Sequence, residues 1–166
     1  YMNNLQIFLA SSINEFKEER NEIGDFIRRI QDVLIDYDTK IKLFECEFHD
    51  NSIGVGRKQE EYNKEIEKSE LFLMLVGKRV GQYTLEEYNV AIQSKVSNIC
   101  VLFQKVDYDA SVREFKKELT KDITVGEFEN VVQLKFLIAE SIKNIIGDSM
   151  KVQEDRIVLY NKFIKY

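Results

Sequence analysis

The sequence predicts an α/β domain in which helices cover both faces of a five-stranded parallel sheet. Five short apolar runs alternate with segments whose apolar residues recur at helical spacing, the pattern of repeated strand and helix units. The third run, Leu71 to Val76, is uninterrupted hydrophobic sequence, as a central strand covered on both faces requires. A chain of 166 residues with 44% apolar residues is long enough for one domain with its own core.

The first strand, Gln6 to Ala10, leads directly into the first helix. The residues Ser12-Ile13-Asn14-Glu15 match a capping box, in which a hydroxyl and a carboxylate satisfy backbone N–H groups at a helix start. Apolar residues at helical spacing then continue to about residue 35. We therefore expect this helix to lay one face on the sheet.

The second strand is predicted at Ile41 to Cys46. A polar loop with two glycines follows from Phe48 to Lys58, and a helix follows from about Gln59 to Lys68. After the central strand, Thr84-Leu85-Glu86-Glu87 matches a second capping box and predicts another helix start.

The carboxyl-terminal part of the chain continues the same alternation. The fourth strand is predicted at Ile99 to Phe103, and Ser111-Val112-Arg113-Glu114 opens the next helix. Phe128 to Val132 is a weak fifth strand, and Leu134 to Ile146 is an amphipathic helix ended by Gly147. Five strands in this alternation favour a flavodoxin-like three-layer sandwich, in which ligands bind beyond the carboxyl ends of the strands.

Charge and composition argue against several classes of protein. A formal net charge of -5 disfavours direct nucleic-acid binding, which needs a basic face. No run approaches the roughly 20 apolar residues that cross a bilayer, and the amino terminus lacks a signal pattern. Cys46 and Cys100 lie in apolar runs and are expected to be reduced. These features predict a cytoplasmic protein without a membrane partner.

Residues 1–150 are predicted to form this domain. Residues 151–166 carry several apolar side chains and then stop without a cap or a polar tail. They predict either a terminal helix packed on the domain or a linker to a partner domain with a sensor or oligomerisation role.

Four common site signatures are missing from the sequence. Phe72 stands where a Walker phosphate loop needs its first glycine. Gly54-Val55-Gly56 lacks the third glycine of a dinucleotide fingerprint and follows the second strand rather than the first. His49 is the only histidine, so a zinc cluster would lack ligands and a Ser/His triad would lack its base.

Several short motifs follow one another between about residues 5 and 105. They are IFLASS with Glu19-Arg20 in the following helix, Gln59-Glu60-Glu61-Tyr62, Ile66-Glu67-Lys68-Ser69, Arg79-Val80-Gly81 and Thr84-x-x-Glu87-Tyr88-x-x-Ala91. In order and spacing this series resembles the TIR-like domains fused to large ATPases and other effectors in bacterial antiphage systems. The resemblance implies homo-oligomers formed through contacts between such domains and, in members that consume it, NAD as the substrate with no cofactor.

Glu87 matches the catalytic glutamate that NAD-consuming TIR domains carry early in the helix after the third strand. The nicotinamide of NAD is already cationic, so it leaves without protonation while positive charge develops on the ribose. A carboxylate beside the ribose stabilises that charge without a metal or an external base. The residues alone leave helix capping open as the alternative role of Glu87, and Glu86 is assigned to solvent.

Six further residues are candidate substrate contacts: Ser11, Ser12, Phe48, Arg57, Arg79 and Tyr83. The two serines end the first strand, where hydroxyls and backbone amides at a helix start favour phosphate or ribose; an N-cap role suits the second serine equally. Phe48 and Arg57 lie on the loop that in TIR domains borders the nucleotide pocket and contacts a neighbouring protomer, and Lys58 is an alternative there. Arg79 and Tyr83 flank Glu87. Glu45 closes the second strand and faces either the pocket or solvent.

The leading prediction is an effector domain that hydrolyses NAD to nicotinamide and an ADP-ribose product and is activated by oligomerisation. A second hypothesis is a TIR-like interaction module without catalysis. A third is an enzyme similar to nucleoside deoxyribosyltransferases, which use a similar sheet and glutamate. The first two differ in whether Glu87 borders a formed pocket.

Overall fold

The structure, a computed structural model, describes residues 3–12, 14–45, 55–119, 121–147 and 161–164. Within these residues five strands and five helices alternate along the chain. They are β1 (Asn3–Ala10), α1 (Lys17–Leu34), β2 (Thr39–Glu45), α2 (Val55–Lys68), β3 (Leu71–Val76), α3 (Gln82–Gln93), β4 (Asn98–Gln104), α4 (Ala110–Glu118), β5 (Thr124–Phe128) and α5 (Val131–Gly147), with a short 3-10 turn, Ile35–Tyr37, after α1. None of the described helices is long and apolar enough to span a lipid bilayer.

All five strands are parallel, and their order across the sheet is β2-β1-β3-β4-β5. The predicted flavodoxin-like α/β fold is confirmed. β3 lies inside the sheet between β1 and β4, and all of its residues are buried, as its uninterrupted apolar sequence predicted. Because parallel strands point the same way, the segments after Ala10, Glu45, Val76 and Gln104 emerge along one edge of the sheet. We call this the carboxyl edge.

The core has two layers, one on each face of the sheet. Successive residues of a strand point to opposite faces, so alternate residues of β3 enter different layers. One layer packs the sheet against α1 and α5, and the other packs it against α2, α3 and α4. Phe163, in the described segment 161–164, is buried in the α1 and α5 layer. The division of the chain at residue 150 stays a prediction.

Cys100 is a free, buried cysteine of β4, as its apolar surroundings predicted. Burial raises the pKa of its thiol, and the hydroxyl of Ser141 lies 3.5 Å from its Sγ. Cys46 lies outside the described residues.

A side chain of α1 covers part of the outer edge of β2. Gln31 donates a hydrogen bond from Nε2 to the backbone oxygen of Thr39 at 3.1 Å, and its Oε1 accepts one from the backbone N–H of Ile41 at 2.5 Å. β2 is an edge strand, paired with β1 on its other side. The amide of Gln31 therefore occupies the hydrogen-bonding position of a further strand.

The fifth strand lies earlier in the sequence than predicted. The predicted run, Phe128 to Val132, contains the start of α5, whereas the observed β5 is Thr124–Phe128. Asn130 explains the difference, because its side chain accepts a hydrogen bond from the backbone N–H of Gln133 at 2.9 Å and so caps the helix. β5 is also an edge strand with mostly exposed residues, so it carries no continuous apolar signal.

α4 begins at Ala110, one residue before the predicted start at Ser111. Asp109 is the N-cap, because its carboxylate accepts hydrogen bonds from the backbone N–H groups of Ser111 at 2.9 Å and Val112 at 3.3 Å. Aspartate and serine are both good caps, so the local sequence did not distinguish them.

Candidate functional site

Glu87 is buried on the inward face of α3. Its exposed fraction is 5%, and it shares this face with Thr84 and Ala91, which lie about one turn before and one turn after it. The helix begins at Gln82 with Gly81 as its N-cap. Thr84 is therefore already inside the helix, and Glu87 lies in the second turn.

This geometry corrects the capping-box interpretation of Thr84 to Glu87. A capping carboxylate acts from the third helical position, where it reaches back to the N-cap backbone. Here the N-cap is Gly81, which has no side chain and has an extended backbone at φ -69° and ψ 151°. A buried carboxylate needs a partner to offset the cost of its burial, and Glu87 has one within the protein. Glu86 is exposed, as predicted.

Ser11, Arg20 and Glu45 form a polar cluster where β1 and β2 end. Arg20 lies in the first turn of α1; its Nη1 donates a hydrogen bond to Oγ of Ser11 at 2.8 Å, and its Nη2 lies 3.5 Å from Oε2 of Glu45. Ser11 and Arg20 are both buried. Glu45 is paired in register with Leu9 of β1, which brings the ends of the two strands together.

Arg20 is a residue of the carboxyl edge that the sequence reasoning did not assign to the site. It lies four residues after Phe16 and three before Ile23, both buried, so it interrupts the apolar stripe of α1 with a charge. A buried charge in such a stripe needs a polar partner. That signal was present in the sequence.

Glu15 fixes one side of the loop between β3 and α3. Its Oε1 accepts a hydrogen bond from the backbone N–H of Lys78 at 2.7 Å. The approach requires glycine at position 77, because a Cβ on Gly77 would lie 1.9 Å from that Oε1. The predicted capping box is thus half formed: the Ser12 hydroxyl accepts from the N–H of Glu15 at 3.4 Å, but the carboxylate contacts the loop.

The start of α4 fixes the other side of this loop. The N–H of Asp109 donates to the backbone oxygen of Lys78 at 3.0 Å, and the N–H of Val80 donates to Oγ of Ser111 at 3.3 Å. The Ser111 hydroxyl donates to the Asp109 carboxylate and, with the backbone N–H groups there, holds its pKa below the usual value. Arg79 is exposed, with its Nε 3.6 Å from Oδ2 of Asp109, so this predicted substrate contact forms an ion pair with the α4 start.

The remaining predicted contacts lie in different surroundings. Tyr83 is 57% exposed in the first turn of α3. Ser12 is half-buried, with its hydroxyl used near the start of α1. Arg57 belongs to α2, which begins at Val55, so that end of the predicted loop is helical. The side chains of Arg57 and its neighbour at position 58 are outside the described part of the chain, as is the whole of Phe48.

A groove of about 640 Å³ runs between α1 and β2. Its walls include Gly24, Arg28, Leu43 and Glu45. The side chain of Glu45 is 41% exposed, and its Oε2 lies 3.5 Å from Nη2 of the buried Arg20. In the part of the chain that the structure describes, no three His, Cys, Asp or Glu side chains are grouped to hold a metal ion.

Family membership follows from a match over most of the chain. A family described as "Domain of unknown function (DUF4062)" matches residues 6–143. The chain belongs to this family. The matched part of this DUF4062 domain runs from β1 into α5 and includes Ser11, Arg20, Glu45 and Glu87. No curated protein matches the chain.

Proposed function

We propose that this DUF4062 domain is a TIR-like NAD glycohydrolase and that Glu87 is its catalytic residue. The observation that carries the proposal is a carboxylate with 5% exposure on the helix after the central strand, at the position where the motif series resembles the catalytic glutamate of TIR domains. Helix capping does not account for that carboxylate, since the helix begins two residues before Thr84. Doubly wound sheets also bind nucleotides at this edge.

The chemistry needs one positioned carboxylate. The bond between ribose C1′ and the nicotinamide nitrogen breaks with both electrons going to the nitrogen, so nicotinamide leaves as a neutral molecule. The carboxylate of Glu87 stabilises the positive charge that remains on the ribose. Water then adds to C1′ and loses a proton, which gives ADP-ribose. NAD is the substrate, and the proposed reaction uses no further cofactor.

The proposed setting is bacterial antiphage defence in the cytoplasm. In TIR-like effectors, contacts between copies of the domain activate the enzyme, and a fused sensor or oligomerisation domain provides the trigger. The motif series from IFLASS to Thr84-x-x-Glu87 supports this assignment together with the flavodoxin-like sheet. Direct contact with nucleic acid or membrane is not part of the proposal.

A TIR-like interaction module without catalysis is the second candidate, and the outward face of α3 favours it. Leu85 and Ile92 lie seven residues apart on this face, and each is 36% exposed. Exposed apolar side chains on one helix face suit a contact between protomers. Under this hypothesis, replacing Leu85 and Ile92 with serine abolishes association, whereas replacing Glu87 changes nothing.

The test of the enzyme proposal is product analysis by mass spectrometry. NAD is incubated at high protein concentration with the wild type, with Glu87→Gln and with Glu86→Gln. We expect nicotinamide and an ADP-ribose product from the wild type and from Glu86→Gln, and a loss of at least about 100-fold with Glu87→Gln, the scale of removing one electrostatic stabiliser. Glu86→Gln is the matched control because it removes the same charge from the exposed neighbour.

A further inference from the structure

We propose that Arg20 is the anion-binding residue of the carboxyl edge and that Glu45 is its resting counter-ion, which the diphosphate of a dinucleotide replaces. The choice of a dinucleotide rests on the proposed NAD function. The existence of an anion site at Arg20 rests on the contacts of Arg20 itself.

The contacts of Arg20 with Ser11 and with Glu45 differ in geometry. Nη1 lies 2.8 Å from Oγ of Ser11, which is a normal hydrogen-bond distance. Nη2 lies 3.5 Å from Oε2 of Glu45, which is too long for a good hydrogen bond and leaves mainly charge attraction. The serine therefore orients the guanidinium, while the carboxylate balances its charge.

Burial makes the arginine the fixed member of the pair. The side chain of Arg20 is 8% exposed and that of Glu45 is 41% exposed. Glu45 is the last residue of β2 and forms part of the wall of the 640 Å³ groove, so its side chain is accessible from that groove. An anion that binds Arg20 therefore competes with the carboxylate of Glu45 for the guanidinium.

The pair lies next to the place where this topology binds ligands. The connection from β1 leads to β2 on one side, and the following connection crosses over β1 to β3 on the other side. A doubly wound sheet binds its ligand where the strand order reverses in this way, outside the carboxyl ends. Ser11 follows β1, and the helix that carries Glu87 follows β3. Arg20 and Glu87 therefore lie on the two sides of the reversal.

A diphosphate is the anion that suits this arginine. A guanidinium offers two parallel N–H groups that match two phosphate oxygens, and it keeps its charge when it is buried. Among the arginine side chains that the structure describes, only that of Arg20 is buried. Arg28 and Arg79 are exposed and form ion pairs with Asp25 and Asp109, respectively.

The test is calorimetric binding of ADP-ribose, with adenosine as the probe that lacks phosphate. Replacing Glu45 with glutamine keeps the shape of the side chain and removes the competing charge. We expect Glu45→Gln to bind ADP-ribose at least about fivefold more tightly, since a unit charge about 4 Å from another changes affinity on that scale even in water. The gain should shrink at high salt, and adenosine affinity should not change.

Arg20→Lys keeps a charge but loses the planar fork, and it should weaken ADP-ribose binding at least about tenfold. Arg29→Lys is the matched control, because Arg29 is an exposed arginine of the same helix outside the wall of the groove, and its replacement should leave binding unchanged. If Arg20→Lys fails to fold, as seen by circular dichroism, the Glu45→Gln measurement decides alone.

Binding of ADP-ribose needs no turnover, so this result is separate from the NAD glycohydrolase test. Tighter binding to Glu45→Gln supports the anion site even if NAD is never cleaved. The inference is overturned if Glu45→Gln leaves ADP-ribose affinity unchanged, if adenosine affinity rises equally, or if neither protein binds ADP-ribose.

Discussion

The contact between Glu15 and Gly77 decides, at the scale of single residues, where the loop before α3 lies. We expect Gly77→Ala to lower the free energy of unfolding by about 1 kcal/mol, the usual contribution of one hydrogen bond. The new Cβ would displace the Glu15 carboxylate from the backbone N–H of Lys78, although the flexible end of that side chain can move away. Urea unfolding followed by circular dichroism measures the change.

Two controls make this prediction specific. In a Glu15→Ala background, Gly77→Ala should lower the free energy of unfolding clearly less than it does in the wild type, because the carboxylate that the new Cβ displaces is absent. Gly24→Ala should have the opposite sign, since Gly24 is inside α1 and a Cβ there meets only Arg28 Nη1 at 3.9 Å. Equal costs of Gly77→Ala in both backgrounds would show that the contact is irrelevant to stability.

Single residues also show which members of the candidate site were predicted from the sequence and which were not. Glu87 was predicted from the family resemblance, whereas its local motif predicted a cap, which is wrong because an extended Gly81 starts the helix earlier. Arg20 lies nine residues from Ser11 and was missed, although its charge within the apolar stripe of α1 indicated a buried polar contact. The pairing of Arg20 with Glu45 depends on β1 and β2 being neighbours, which no local pattern specifies.

At the scale of elements, the edge strand β2 depends on Gln31. We expect Gln31→Ala to speed hydrogen exchange at the Ile41 amide and to cost about 1 to 2 kcal/mol of stability, because two hydrogen bonds to the backbone of β2 are lost. The control is Gln93→Ala at the exposed end of α3, which should change stability by less than about 0.5 kcal/mol. Unchanged exchange at Ile41 in Gln31→Ala would contradict this role of the side chain.

The elements were predictable in proportion to how fully their residues are buried. The bounds of β3 were predicted to the residue, because both of its faces are covered and its apolar run stops where the strand stops. β5 was misplaced because it is an edge strand with only one buried residue. Helix starts were the weakest predictions, since caps such as Asp109 and Gly81 compete with nearby residues that have similar propensity.

At the scale of the whole molecule, the alternation of strands and helices was enough to predict the strand order. Crossover connections between parallel strands are right-handed, so few arrangements of five strands are available. That order places the ends of β1 and β3 side by side. It therefore brings Ser11 and the helix of Glu87 to the carboxyl edge, although they are far apart in the sequence. The sequence could not predict which side chains meet there.

Assembly is the prediction that concerns the whole molecule. We predicted that the glycine-containing loop from Phe48 to Lys58 costs free energy to order. The end of the predicted loop is helical, because α2 begins at Val55. Residues 46–54 lie outside the described part of the chain. A neighbouring protomer that binds only the ordered form would shift the equilibrium towards it. We therefore expect enforced clustering to raise turnover of NAD.

The most direct measurement of the central claim fuses residues 1–166 to an inducible oligomeriser and follows loss of NAD over time. The wild type, Glu87→Gln and Glu86→Gln are compared with and without the inducer. We predict that the wild type and Glu86→Gln consume NAD rapidly only when clustered, and that Glu87→Gln stays inactive in both states. Equal consumption by clustered wild type and clustered Glu87→Gln would contradict the catalytic role of Glu87.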